Sequence, residues 1–349
     1  MECALFTKTF LEPTHYAIGL LAGALHDCHF TVFARRYLPG WEFLDSRIRS
    51  RTTCTATDIP PLKTLGLDIV HVIFDGPFSL AAAAAARDAA IPYILSFHGG
   101  FDTHVTIHRE GMARALPQAL SEAAAITVVS TRDVIRLAAL GYRGRTEHLT
   151  VPIDLSLVPG RRERAGHLIA VARLIEKKGI DCAVQALSLL PQSYRLTVVG
   201  HGEMEPELRL LADRLSVSSR VTFAGLLPLH QTLDLLASAE IFLYPAREAA
   251  NGDADGTPQA LLWAQACCVP VVSGVAGSIP DIVRHRRTGL LVPPNDAEAL
   301  AAAVRQLRYE PLLKERLVRA ARTRIERRHS LDRIAGRLRE LYVDVRDLG

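Results

Sequence analysis

Residues 167–202 read HLIAVARLIEKKGIDCAVQALSLLPQSYRLTVVGHG. A short β-rich apolar run, His167–Val171, gives way to a charged turn. An alanine- and leucine-rich helical stretch, Gly179–Leu190, follows, and then a second β-rich run, Arg195–Val199. The hydrophobic period thus switches from that of a strand to that of a helix and back, which is the pattern of parallel strands joined by a crossover helix. The alternation continues through helix Pro206–Leu215, strand Val221–Ala224, helix Leu229–Ala237, strand Ile241–Tyr244, helix Thr257–Ala266 and strand Val269–Ser273. It holds on the amino side too, with strands at Cys3–Phe6, Phe30–Ala34, Ile69–Ile73, Tyr93–Phe97 and Ile126–Val129 and near His148–Val151, and helices near His15–Leu25, Ser79–Ala90, Met112–Ala123 and Thr131–Leu140.

A length of 349 residues is about twice that of one domain, so two α/β domains, each with its own core, are expected. The segment Pro159–Gly166, PGRRERAG, breaks the rhythm and reads as a linker. The expected division is therefore 1–160, 161–328 and a terminal helical stretch 329–349 packing back on the first domain. Open sheets of this kind bind ligands at the carboxyl ends of their strands, so two facing sheets imply a cleft.

Composition removes several classes of function. At 49% hydrophobic and 22% charged residues the chain is globular throughout. The alanine run Leu80–Ala86, closed by Arg87 and Asp88, is far short of the ~20 residues a membrane span needs. The amino terminus reads as a strand and not a secretory signal, which gives a cytoplasmic expectation. Six cysteines, Cys3, Cys28, Cys54, Cys182, Cys267 and Cys268, show no zinc spacing and read as reduced. A net charge of +4 does not imply nucleic acid. The run carrying Arg316, Arg319, Arg322, Arg324, Arg327 and Arg328 against Glu326 alone has two readings: a solvated helix face, or peripheral contact with an anionic membrane or lipid-phosphate acceptor.

Chemistry concentrates in a few short motifs. Arg173-Leu174-Ile175-Glu176-Lys177-Lys178-Gly179 places cations beside a helix start, an arrangement suited to a diphosphate. Val199-Gly200-His201-Gly202 lacks the third glycine of a dinucleotide fingerprint, so a nicotinamide reading is weak. Its glycines fit either close approach to a nucleotide or a tight structural turn. Residues 245–270 read PAREAANGDADGTPQALLWAQACCVP, and His98 with Gly99, Gly100 and Asp102 closes the strand Tyr93–Phe97.

Together these motifs resemble the retaining glycosyltransferases of GT-B architecture, in particular the group 1, GT4-type branch of bacterial polysaccharide and glycolipid synthesis. The likeness is strongest from Val171 to Pro294 and implies two doubly wound Rossmann-like domains, an acceptor-binding one followed by a donor-binding one. By resemblance, Arg173 and Lys178 bind the donor diphosphate, and Asp255 holds the first acidic place of the family's E-x7-E region. Trp263 stands in the second place, where the relatives carry a ribose-binding acid; its indole has one donor and no carboxylate. Gly200, Gly202, Gly256, Thr257 and Pro258 line the donor, and residues 274–281 and 289–294 support it. In the first half, His98 matches the H-G-x-D histidine beside the reacting carbon. Lys8, His71, Gly99 and Asp102 fall on the acceptor side, and the loop from Thr7 to His15 lacks the usual glycines.

The activity implied is metal-independent, retaining transfer of a hexose from a UDP- or GDP-linked donor to a glycan, lipid-linked or small-molecule hydroxyl, with no cofactor. The Trp263 departure keeps open a non-catalytic binding or partner subunit, and the fold also admits a nucleotide-sugar epimerase.

Overall fold

The computed structural model describes residues 1–10, 16–37, 48–74, 76–98 and 112–347. Among these the chain divides into two units: Met1–Pro152 together with Arg328–Gly349, and Ile153–Arg327.

In the first unit seven parallel strands lie in the order β3-β2-β1-β4-β5-β6-β7. They are β1 (Glu2–Phe10), β2 (His29–Tyr37), β3 (Ile48–Thr53), β4 (Ile69–Ile73), β5 (Tyr93–Phe97), β6 (Ala125–Val128) and β7 (Thr146–His148). Every residue of β4 and β5 is buried, as expected for central strands covered on both faces. Helices Pro77–Asp88 and Met112–Glu122 supply Phe78, Ala82, Ala86, Leu116 and Leu120 to a core against Phe6, Phe33, Val72 and Leu95. The Phe6 and Phe33 rings stack at 4.6 Å within it. Helices Tyr16–Ala24 and Leu331–Arg346 pack against each other. The latter buries Ile334, Leu338, Leu341, Tyr342 and Val345, one stripe at helical spacing.

The second unit carries six parallel strands in the order β10-β9-β8-β11-β12-β13. These are β8 (His167–Val171), β9 (Arg195–Val199), β10 (Val221–Gly225), β11 (Ile241–Tyr244), β12 (Val271–Gly274) and β13 (Leu290–Val292). Helices Ile180–Ser188, Glu205–Arg214 and Ala297–Tyr309 build one core through Val184, Leu187, Leu208, Ala212, Leu300 and Val304. Helices Leu229–Ser238 and Gln259–Ala266 contact one another, the former also packing on β8. The strand order reverses between β8 and β11, so their carboxyl ends flank the place where doubly wound sheets take ligands.

Four expectations are corrected. β1 runs on to Phe10, with Thr9 paired to Arg36 and Phe10 to Tyr37, so Thr7, Lys8 and Thr9 belong to a strand and not to the loop after it. The edge strand β3 and the three-residue β13 lie outside the strands that the sequence pattern marks. The division falls at Pro152/Ile153 and Arg327/Arg328. Residues 159–166 are no free linker: the Arg162 and Arg164 amides donate to the carbonyls of Ala237 and Ser238 at 2.9 Å, and the Gly166 amide donates at 2.5 Å to the buried Glu240 carboxylate.

Candidate active site

Three segments of the second unit converge on one buried cluster. The first is the turn after β8, which ends in the short 3-10 segment Glu176–Lys178 and then in Gly179 at φ 63°. A Cβ on Gly179 would run into the carbonyl oxygen of Pro245, so only glycine lets this turn close against the end of β11. That approach carries Lys178 onto Tyr244, the last residue of β11. The second segment is the loop Asp253–Pro258, leading into the Gln259–Ala266 helix. The third is the turn after β12, whose Ser278 amide donates to the Asp255 carbonyl at 2.9 Å and holds the acidic loop in place.

Within the cluster the Lys178 ammonium donates to Asp255 Oδ1 at 2.5 Å and to the Tyr244 hydroxyl at 2.6 Å. The Tyr244 hydroxyl donates to Asp255 Oδ2 at 2.7 Å, closing a triangle. Lys178 is 9% exposed, Asp255 5% and Tyr244 1%. Lys177 completes the group, donating to Asp253 Oδ1 at 2.9 Å and lying 3.7 Å from Asp255 Oδ1. A buried charge survives only when paired and hydrogen-bonded, and this cluster meets that condition.

The protonation states follow from the environment. Burial works to raise the Asp255 carboxyl, but the Lys178 and Lys177 charges and the two hydrogen bonds outweigh it and hold it below its ordinary value. Burial pushes Lys178 down, and its pairing with Asp255 opposes that shift. Burial, then the Asp255 charge, drives the Tyr244 phenol well above its usual range. Tyr244 therefore keeps its single proton, directs it to Asp255 and accepts from Lys178.

Arg173 behaves differently. It lies two residues past β8, is exposed, and among the described residues its side chain makes no hydrogen bond or ion pair. Its charge is nonetheless felt at Lys178 and Tyr244. Cβ atoms on Gly200 and Gly202 would collide with the carbonyl oxygens of Ala172 and Leu174, so the glycine turn after β9 packs directly against the backbone on both sides of Arg173. This gives both glycines a structural task. Beyond Asp255, Gly256 and Pro258 are buried and Thr257 is half-buried. Trp263 is 3% exposed, inside a helix whose residues 261–266 are all buried.

In the first unit, His98 lies at the carboxyl end of β5 and is half-buried. It shares the wall of a small cavity with Leu5, Ile73, His71 and Tyr342. His71, expected to face an acceptor, is instead 5% exposed in mid-strand, with both ring nitrogens engaged: Nδ1 with the Tyr342 hydroxyl at 2.6 Å and Nε2 with Ser96 Oγ at 2.5 Å. Ser96 passes the chain on to Thr127 Oγ1. Burial lowers His71 to about 4, so the ring is neutral. Lys8 lies within β1. Gly99 and Asp102 lie outside the described residues.

Of the basic run, Arg322 donates to the Ala266 carbonyl and pairs with Glu326, Arg324 donates to the Asp281 carbonyl, and Arg319 pairs with Glu315. Two of the six arginines are thus tied to the unit's own backbone, which thins the positive face that sequence suggested. No helix among the described residues is long and apolar enough to cross a membrane. All six cysteines are free thiols. Sequence reasoning did not assign Tyr244 or Lys177. The signals were a polar-tipped residue ending the apolar run Ile241–Tyr244, and a second lysine beside Lys178.

The fold and these motifs define a class of protein that comparison with known families makes explicit. The model "Glycosyl transferases group 1" matches residues 158–324, and "Glycosyltransferase Family 4" matches residues 25–157. The chain belongs to the group 1, GT4-type glycosyltransferase family and has the two-domain GT-B fold.

Among curated relatives, the amylovoran biosynthesis glycosyltransferase AmsK of Erwinia amylovora is 36% identical over 162 residues, 46% of this chain and 40% of that protein. A GDP-mannose-dependent alpha-(1-6)-phosphatidylinositol monomannoside mannosyltransferase of Mycolicibacterium smegmatis is 31% identical over 258 residues, 67% of this chain and 65% of that protein. The chain spans about two fifths of the length of the first curated relatives it matches. Among solved structures, Anabaena HepE in complex with UDP and glucose superposes with a TM-score of 0.83 at 16% identity, covering 99% of this chain and 100% of that one. Sucrose-phosphate synthase from Thermosynechococcus elongatus gives 0.79 at 20% identity over the whole of both chains.

Proposed function

We propose that this protein transfers a hexose from a nucleoside-diphosphate donor to a hydroxyl acceptor with retention at the anomeric carbon, without a metal. The observation that carries the proposal is the cationic set Arg173, Lys177 and Lys178 gathered with Asp255 at the carboxyl ends of β8 and β11. In such a transfer the bond from C1 to the diphosphate oxygen breaks while the acceptor oxygen bonds to C1 on the same face. The hydroxyl proton leaves with the departing phosphate. Negative charge grows on the diphosphate, so fixed cations there act more strongly in the transition state than in the ground state.

Arg173, exposed and uncommitted to any carboxylate among the described residues, is assigned first contact with the diphosphate. Lys178 is assigned the charge developing on the leaving oxygen, and Asp255 the sugar hydroxyls. His98 is assigned a sugar contact at the carboxyl end of β5. Names of relatives and neighbours, which include GDP-mannose-dependent enzymes and complexes with UDP and UDP-glucose, support a guanosine or uridine diphosphate sugar donor. Polysaccharide and phosphatidylinositol-mannoside relatives favour a glycan or lipid-linked acceptor.

The test is release of UDP or GDP from UDP-glucose or GDP-mannose by the purified chain, with product anomers assigned by NMR. Release that is lost in Arg173→Ala, with the product keeping the donor's α configuration, is expected. An inverted product would overturn the retaining reading; donor consumption that yields only an isomeric nucleotide sugar would mark an epimerase.

A further inference from the structure

Tyr244 touches both residues assigned to opposite ends of the reacting bond, and the transfer as proposed gives it no part. Its position is strongly constrained. It ends β11, is 1% exposed, and stacks on Phe242 with ring centroids 6.0 Å apart and an interplanar angle of 16°. Its carbonyl accepts from Ser273 Oγ and from the Ala246 amide, each at 2.8 Å. The ring lies 5.2 Å from the Lys178 ammonium. A phenol held this firmly cannot follow its partners if they move, so the partners are held to it.

We infer that Tyr244 is a positioning residue of the donor site, its hydroxyl setting the reach of the Asp255 carboxylate and the aim of the Lys178 ammonium together. This rests on the donor-site reading above. Asp255 Oδ2 stands 2.7 Å from the phenol oxygen and Oδ1 stands 2.5 Å from Lys178, so the carboxylate is gripped at both oxygens. An acid one methylene longer at this position would press on the hydroxyl. Residue 255 is therefore fitted to a tyrosine at 244, and either change by itself misplaces a group that must be held to within about 0.5 Å.

The experiment is a double-mutant cycle on the full chain with Tyr244→Phe, Asp255→Glu and both together, following turnover of UDP-glucose and GDP-mannose. Tyr244→Phe is expected to lower kcat about tenfold while moving KM less than threefold. It should also shift the acid limb of kcat/KM to higher pH, because Asp255 loses a hydrogen bond that favours its ionised form. Asp255→Glu is expected to lose about a hundredfold in kcat/KM, and adding Tyr244→Phe to it is expected to recover at least tenfold.

Losses that simply multiply in the double variant, with an unmoved acid limb, would overturn the inference while leaving the donor site intact. A wild-type chain that neither binds nor turns over either donor would sink the donor-site reading and this inference with it.

Discussion

Each unit of this protein buries a tyrosine hydroxyl against titratable side chains at the first strand past the switch point of its sheet, the strand supplying the histidine in one and the tyrosine in the other, and the two do so to opposite ends. In the first unit His71, midway along β4, joins Tyr342, Ser96 and Thr127 in a chain of uncharged groups. In the second, Tyr244 at the end of β11 joins Lys178 and Asp255, both carrying charge. A neutral chain in mid-sheet satisfies its own hydrogen bonds and ties helix Leu331–Arg346 to β4. A charged triangle at a carboxyl end carries a far larger desolvation cost, and it stands where a doubly wound sheet receives ligands. The contrast teaches that depth along the strand separates the self-satisfied polar chain of the first unit from the charged cluster proposed as the donor site of the second.

The largest effect that would sharpen this contrast is removal of one charge. Lys178→Met leaves Asp255 buried and unpaired, and is expected to destabilise the second unit by about 3–5 kcal/mol, with Asp255→Asn added to it recovering part of the loss in urea denaturation. An equally large loss from a neutral member of the other cluster would break the contrast.

His71 supplies the next effect, through pH. Its folded-state value, depressed to about 4 from the ordinary 6.5, means that the unfolded chain binds the proton first as pH falls. Stability is therefore full above 6.5 and falls between 6.5 and about 4, by about 3 kcal/mol at most. His71→Gln is expected to lack that slope when denaturation midpoints are compared with wild type across the range. Tyr342→Phe, which strands one ring nitrogen of His71, is expected to cost about 1–3 kcal/mol in the same assay while leaving nucleotide binding unchanged.

The sequence carried most of the fold because buried central strands announce themselves. β4, β5, β8, β9 and β11 run over the residues their apolar runs marked, whereas β3, IRSRTT with mostly exposed side chains, offers no apolar period to read. The polar Thr7-Lys8-Thr9 reads as loop, yet pairing with β2 extends the strand through it. Segment 159–166 looks like a linker by charge alone, because the carbonyls of Ala237 and Ser238 that receive its amides lie more than seventy residues away.

The residues of the candidate site are legible as isolated motifs. Arg173, Lys178 and Asp255 stand out by type and spacing, but the closure of Lys178 on Asp255, 77 positions apart, depends on Gly179 meeting the end of β11, and no local pattern encodes it. His71 shows the converse: a histidine in a strand names a chemistry, while its neutral, fully engaged state comes from residues as distant as Tyr342.

The central claim, a donor-diphosphate site at the carboxyl ends of β8 and β11, is tested most directly by calorimetric titration of UDP and GDP into wild type and Arg173→Ala. An exposed arginine can be removed with stability held within about 0.5 kcal/mol, so the comparison isolates binding. Wild type is expected to bind one of the two nucleotides, and Arg173→Ala to weaken that binding by about 1.5–3 kcal/mol, roughly 10- to 150-fold. Equal affinity in the two proteins would contradict the account and place the diphosphate elsewhere.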